Sequence, residues 1–94
     1  MYIVSRRYRF DPTHSAMIKD KVQAEFVPLL KGAPGFVAYY WFDDGNGFGE
    51  SVSVFDTEAG VNASSGAASA WVRLNLARVV GTPEVLQGEV KAHG

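Results

Sequence analysis

The chain has 94 residues, and 47% of them are apolar, which is enough for one modest hydrophobic core and argues against disorder. Lysine plus arginine number 9 and aspartate plus glutamate 10, giving a net charge of −1, so the composition shows no basic surface for nucleic acid or an anionic membrane. Cysteine is absent, which excludes disulfides, thiolate metal sites and a cysteine nucleophile.

The first predicted element is a strand from Tyr2 to Phe10, and Arg6 interrupts its apolar face. Together with Arg7 and Arg9, this arginine fits a phosphate or carboxylate site. The same three charges also fit solvated or paired residues at a strand end, which is the commoner situation.

A helix is predicted next, because Asp11 can accept from free backbone N–H groups and Pro12 is tolerated at a first helical position. Apolar residues recur at helical spacing: Ile18, Val22, Phe26, Leu29 and Leu30. Pro28 predicts a kink in the last turn, and Gly32 with Pro34 ends the helix.

The centre of the chain predicts a β-hairpin of two strands, Gly35 to Asp43 and Phe48 to Phe55, joined by residues that tolerate a tight reversal. The first strand is apolar on both faces, which are expected to carry Phe36, Ala38, Tyr40 and Phe42 on one side and Val37, Tyr39 and Trp41 on the other. A strand of this kind is normally covered on both faces.

A second helix is predicted from Asp56-Thr57-Glu58 to about Val80, with a small-sided first half, and a last strand from Val85 to Ala92. The order β-α-β-β-α-β predicts a single α+β domain over residues 1–94. Its fold is ferredoxin-like: a four-stranded antiparallel sheet with both helices on one face. The aromatic face that the helices leave open predicts a homodimer formed by sheet-to-sheet packing.

Three segments resemble the antibiotic-biosynthesis-monooxygenase-like proteins of the dimeric α/β-barrel superfamily: Leu29 to Phe36, Ser51 to Asp56 and Gly88 to Val90. The resemblance covers nearly the whole chain and implies a dimer with two sheets face to face. It also implies a pocket between sheet and helices in each subunit. Some members oxidise polycyclic phenols with dioxygen and neither metal nor flavin, others degrade haem, and many have no assigned activity.

The cofactor-free members use asparagine, tryptophan, tyrosine and arginine in the pocket, and the resemblance offers Asn62, Trp71, Tyr40 and Arg73 as residues of those types. Trp71 is predicted to wall a pocket for a planar apolar ligand together with Tyr39, Tyr40 or Trp41, or else to pack in the core or at the dimer contact. Asn75 follows one helical turn later and either holds a substrate oxygen or is solvated.

Haem degradation by relatives needs an axial histidine, and the only histidines, His14 and His93, lie outside the second helix. The resemblance therefore favours no cofactor and no metal. The leading hypothesis is a homodimeric, cytoplasmic, cofactor-independent monooxygenase of a small aromatic or polycyclic substrate, with Tyr40, Trp71, Arg73 and Asn75 as catalytic candidates. The alternative is a non-catalytic dimer that binds a small molecule or a partner. Neither involves nucleic acid or a membrane.

Overall fold

A computed structural model describes all residues from Met1 to Gly94. Four antiparallel strands form one sheet in the order β2-β3-β1-β4: β1 (Tyr2–Arg9), β2 (Phe36–Asp43), β3 (Phe48–Phe55) and β4 (Glu84–Glu89). The helical segments α1 (Ser15–Lys21), α2 (Val27–Lys31) and α3 (Glu58–Asn75) cover one face. The predicted ferredoxin-like α+β fold is confirmed. No helix is long and apolar enough to cross a membrane.

The first helix begins where the sequence predicted, since the Asp11 side chain accepts a hydrogen bond from the Thr13 N–H at 2.9 Å. A 3₁₀ turn at Pro12–His14 leads into α1, and a π-helical turn at Val22–Phe26 separates α1 from α2. Pro28 follows directly and has no N–H to donate, and its ring would crowd the carbonyl one turn earlier. The wider π-helical turn accommodates this proline, so the predicted irregularity lies just before Pro28.

The central hairpin forms as predicted, but a β-bulge changes which residues share a face. Phe36 pairs with Phe55 and Ala38 with Val54, so Val37 is an extra residue in β2. The side chain of Phe36 therefore packs in the core under the helices. The prediction that Phe36 shares a face with Tyr40 was wrong.

The end of α3 also differs from the prediction, since the helix stops at Asn75 and not near Val80. Val80 pairs with Phe10 in an isolated β-bridge, and the Gly81 N–H donates to the Arg9 carbonyl at 3.0 Å. These tertiary bonds to β1 replace the last helical turn. The final strand is likewise shorter than the predicted Val85 to Ala92.

The sheet has two unlike faces. The face under the helices, hereafter the covered face, contains the core residues Val4, Tyr8 and Phe55 and also the buried polar residues Arg6, Ser51 and Ser53. The opposite or open face contains Tyr40, Phe42 and Leu86, which are 62%, 56% and 76% exposed. In the single chain nothing covers this apolar face.

Candidate functional site

Trp71 lies in α3 against the first helix, and its surroundings are filled. Its ring centroid is 4.9 Å from that of Phe26, which in turn is 5.3 Å from the Tyr39 ring. Trp41 lines the same space. The void among these rings measures about 20 Å³, room for one water molecule. Tyr39 and Trp41 are thus beside Trp71 and Tyr40 is not, and the space between the rings is too small for an aromatic ligand.

Gly49 explains how the Trp41 ring fits so closely against the sheet. A Cβ at this position would lie 2.5 Å from the Trp41 ring and 2.9 Å from Phe10. Because real Cβ contacts are never that short, only glycine allows Trp41 to lie over β3. This side of the covered face is therefore a packed core.

The room for a ligand lies on the other side of α3. A groove of about 390 Å³ runs between α3, β1 and the chain leading into β4, and Ser69, Val72 and Arg73 line its helix wall. These residues are three and four positions apart, so they project from one side of the helix. Arg6 and Tyr8 of β1 line the groove from the sheet, and Val85 lines it from β4.

Two tyrosines of the covered face, the buried Tyr8 and the partly buried Tyr39, hold their phenolic protons. Burial raises the pKa of Tyr8, and the nearby Arg6 charge only partly lowers it. Burial also raises the pKa of Tyr39, with a smaller opposite effect from the Ser51 hydroxyl. At neutral pH each phenol is therefore a hydrogen-bond donor and not a phenolate.

The structure does not bring the four predicted catalytic residues together. Tyr40 is on the open face, on the opposite side of the sheet from Trp71. Arg73 is two residues after Trp71, which turns it by about 200° around the helix and into the groove.

The two candidate asparagines, Asn62 and Asn75, form hydrogen bonds within the fold. Asn75 does share a side of α3 with Trp71, where its amide donates to the Trp71 carbonyl at 2.9 Å and accepts from Lys21 Nζ at 3.2 Å. Asn62 accepts a hydrogen bond from Gln87 at 3.3 Å. In these positions their side chains link elements of the structure to one another.

Sequence reasoning missed Tyr8 and Ser69 as site residues, and it offered Arg6 only as one of three arginines that fit an anion site or a solvated strand end. Arg6 belongs to the covered face and is only 7% exposed, which is unusual for a charged residue. Its signal was the interruption of the apolar alternation in β1, because a charge at an inward position needs a reason to be there. Ser69 gave no signal among the many small residues of α3.

No family model matches the sequence, and no curated protein matches it. Solved structures do. NE2512 from Nitrosomonas europaea, a protein of unknown function, matches with a TM-score of 0.80 at 23% identity, over 99% of this chain and 91% of that one. The monooxygenase ActVA-Orf6 of Streptomyces coelicolor, in complex with Nanaomycin D, matches with a TM-score of 0.81 at 14% identity, over 98% of this chain and 88% of that one. The chain has the fold of the antibiotic-biosynthesis-monooxygenase-like proteins.

A second group with this monooxygenase-like fold degrades haem. MhuD from Mycobacterium tuberculosis, with two hemes bound, matches with a TM-score of 0.77 at 13% identity, over 100% of this chain and 99% of that one. In this chain no histidine lines the groove or the void beside Trp71. No cluster of three histidine or acidic side chains could hold a metal ion. The residues present therefore do not fit a haem that is ligated by histidine.

Proposed function

We propose that this protein is a homodimer that binds a small aromatic compound in the groove beside α3 and oxidises it with dioxygen without a cofactor. The observation that carries the proposal is the groove itself. Its volume of about 390 Å³ falls in the usual range for small-molecule sites, roughly 300–1,000 Å³. The fold is one on which a monooxygenase has been solved in complex with the ligand Nanaomycin D.

The lining of the groove suits a flat, partly polar molecule. Val72, Val80 and Val85 supply apolar surface, and the Ser69 hydroxyl and the protonated Tyr8 phenol supply donors. Arg73 is exposed at the rim, with no carboxylate partner in the chain, and adds a positive charge. Such a mixture of apolar walls and a few polar groups orients a ligand while excluding water.

The chemistry that this lining supports begins with a phenolic substrate that has an activated CH₂ group, such as an anthrone. A solvent water accepts a proton from this group, and Tyr8 and Arg73 stabilise the resulting anion by hydrogen bonding and charge. The anion passes one electron to dioxygen, and the resulting radical and superoxide join in a C–O bond. Protonation and loss of water then convert the hydroperoxide to a ketone. One oxygen atom enters the product and the other leaves as water, so no further reductant is needed.

The open face supports the homodimer. Four large apolar side chains, Tyr40, Phe42, Phe48 and Leu86, are exposed there in the single chain, beside the ion pair of Arg7 and Glu50. Two copies packed sheet to sheet cover it with one surface used twice. The absence of cysteine is in keeping with the reducing cytoplasm as the place of action.

A second function from another class has its own support. Trp71 is packed, Asn75 is hydrogen-bonded within the fold and Tyr40 is on the far side of the sheet. The asparagine, tryptophan and tyrosine of the cofactor-free oxygenases are thus not assembled. This separation favours a dimer that binds its ligand without transforming it.

The test is to fill the groove. Ser69→Trp places a large side chain in it from an exposed helical position, and Ala67→Trp adds the same side chain at an exposed position outside it. We expect wild-type protein and Ala67→Trp to bind 1,8-dihydroxyanthrone and to accelerate oxygen uptake, and Ser69→Trp to lose both. Calorimetry and an oxygen electrode measure the two effects, with protein-free solution as the baseline for spontaneous oxidation.

Two results would decide against parts of the proposal. Binding that Ser69→Trp abolishes, without any acceleration of oxygen uptake, would leave the non-catalytic binder as the function. Equal binding by the two tryptophan variants would show that the groove is not the ligand site.

A further inference from the structure

Arg6 is a buried charge that the fold leaves without a counter-charge. It is 7% exposed, and no carboxylate lies within ion-pair distance of it. An arginine guanidinium keeps its charge inside proteins. A buried charge is costly unless it is paired and hydrogen-bonded. The groove that Arg6 lines is thus the side from which solvent or a ligand completes this site.

The hydrogen bonds of Arg6 are also incomplete. Its Nη2 donates to Ser65 Oγ over a long 3.4 Å, and this is its only side-chain hydrogen bond to the protein. Ser65 in turn donates to the Val61 carbonyl at 2.8 Å, which fixes the hydroxyl so that its lone pairs face outward. Four of the five N–H donors that any guanidinium carries are left free. Because Arg6 lines the groove, those donors are available to a ligand there.

The position of Arg6 argues for a carboxylate. The planar fork of a guanidinium matches a carboxylate in two parallel hydrogen bonds. The groove offers one buried arginine with valine walls beside it, and Arg73 contributes only from the exposed rim. A phosphate carries a second charge that only the exposed Arg73 could meet, whereas a singly charged acid on an apolar ring fits one buried arginine beside valine walls.

We propose that the ligand of the groove is an aromatic carboxylic acid, held by its carboxylate on Arg6 while its ring lies between the valines. This inference rests on the groove being the ligand site, as proposed above. It adds the substrate class and gives Arg6 the role of a binding residue. Arg73 then attracts the acid at the entrance.

The experiment compares acids with their neutral amides of nearly the same shape: benzoate with benzamide, and 2-naphthoate with 2-naphthamide. Titration calorimetry on wild-type protein is expected to give an acid at least about tenfold tighter than its amide, as charge-assisted bidentate bonds imply. Addition of 2-naphthoate is also expected to shift the Nε–Hε signal of Arg6 in ¹H–¹⁵N spectra.

Single variants test whether the preference for acid over amide comes from Arg6. Arg6→Met keeps an apolar side chain of similar reach and is expected to bring acid and amide to equal affinity. Arg6→Lys keeps the charge but not the fork, and is expected to retain only part of the preference. Arg73→Gln is expected to weaken acid binding a few-fold, and Arg78→Gln, an exposed arginine that does not line the groove, is the matched control. If Arg6→Met fails to fold, the wild-type ratio and Arg6→Lys still decide.

The failures are distinguishable. Equal affinity of acid and amide on wild-type protein would overturn the carboxylate and leave the groove as a site for neutral aromatics. Tighter binding of phenyl phosphate than of benzoate would also overturn it, in favour of a phosphate ligand. Binding of no member of either series at millimolar concentration would overturn this inference and the groove together.

Discussion

The covered and open faces of the sheet both mix apolar and polar side chains, but they differ in what surrounds the polar ones. The covered face contains the core residues together with a buried arginine and two buried serines, Ser51 and Ser53, and the hydroxyl of Ser53 has no hydrogen-bond partner. The open face contains the exposed Tyr40, Phe42 and Leu86 and the ion pair of Arg7 and Glu50. Polar groups that are buried need partners, whereas charges on an open face are solvated, so burial matters more than residue type in deciding which polar groups mark a site.

The largest effect is expected from a charge on the open face. Tyr40→Lys places an ammonium group on the open face, within the proposed dimer contact. It should weaken the dimer by about a hundredfold or more, because each copy would bury an unpaired charge in the contact. Sedimentation equilibrium should then change from about twice the chain mass of 10.2 kDa to that of the single chain.

Lys91→Gln, on the exposed segment after β4, is the control and should leave the mass unchanged. A wild-type protein that sediments as a single chain at micromolar concentration would contradict the dimer itself.

The second-largest effect is expected when a methyl group is added to the covered face, in comparison with one added to the open face. Gly49→Ala on the covered face brings a Cβ within 2.5 Å of the Trp41 ring, and overpacking of this kind lowers the free energy of unfolding by about 1–3 kcal/mol. Gly88→Ala on the open side of β4 meets nothing within 4 Å. It should change that free energy by less than about 0.5 kcal/mol. Urea unfolding of both variants measures the difference, and equal losses would contradict the close packing around Trp41.

The smallest effect is expected at alkaline pH. Burial raises the pKa of Tyr39 above the value of about 10 for an unfolded chain, so the unfolded state loses its proton first as the pH rises. The stability from Tyr39 is thus complete below pH 10 and falls above it by about 1.4 kcal/mol per pH unit. Tyr39→Phe should remove this part of the decline between pH 10 and 11, measured by urea unfolding. Equal slopes for wild type and variant would contradict the buried phenol.

The sequence predicted the order of the elements because their signals are local. Asp11 begins the first helix and the glycines of the hairpin turn take positive φ angles, as their types indicated. The end of α3 was not predictable, because the β-bridge between Phe10 and Val80 joins residues distant in sequence. The face of Phe36 was missed for a related reason, since a bulge shifts the alternation and leaves no mark in composition.

The candidate site was less predictable than the fold. Helical spacing was enough to separate Arg73 from Trp71, but residue type had grouped them. Trp71 does lie among aromatic rings. The volume of the space between those rings depends on how the side chains pack, and residue types alone do not predict it. Arg6 was the readable clue, as the charge that broke an apolar face.

One wall of the groove is the edge strand β4, which few interactions hold in place. Every residue of β4 is exposed, and the strand is hydrogen-bonded to β1 alone. Its side-chain link to α3 is the hydrogen bond of 3.3 Å between Gln87 and Asn62. A ligand that touches both α3 and Val85 therefore spends part of its binding free energy on restricting the motion of an edge strand. Affinity in such a site depends on how ordered β4 is before the ligand arrives, and so on residues that the ligand never touches.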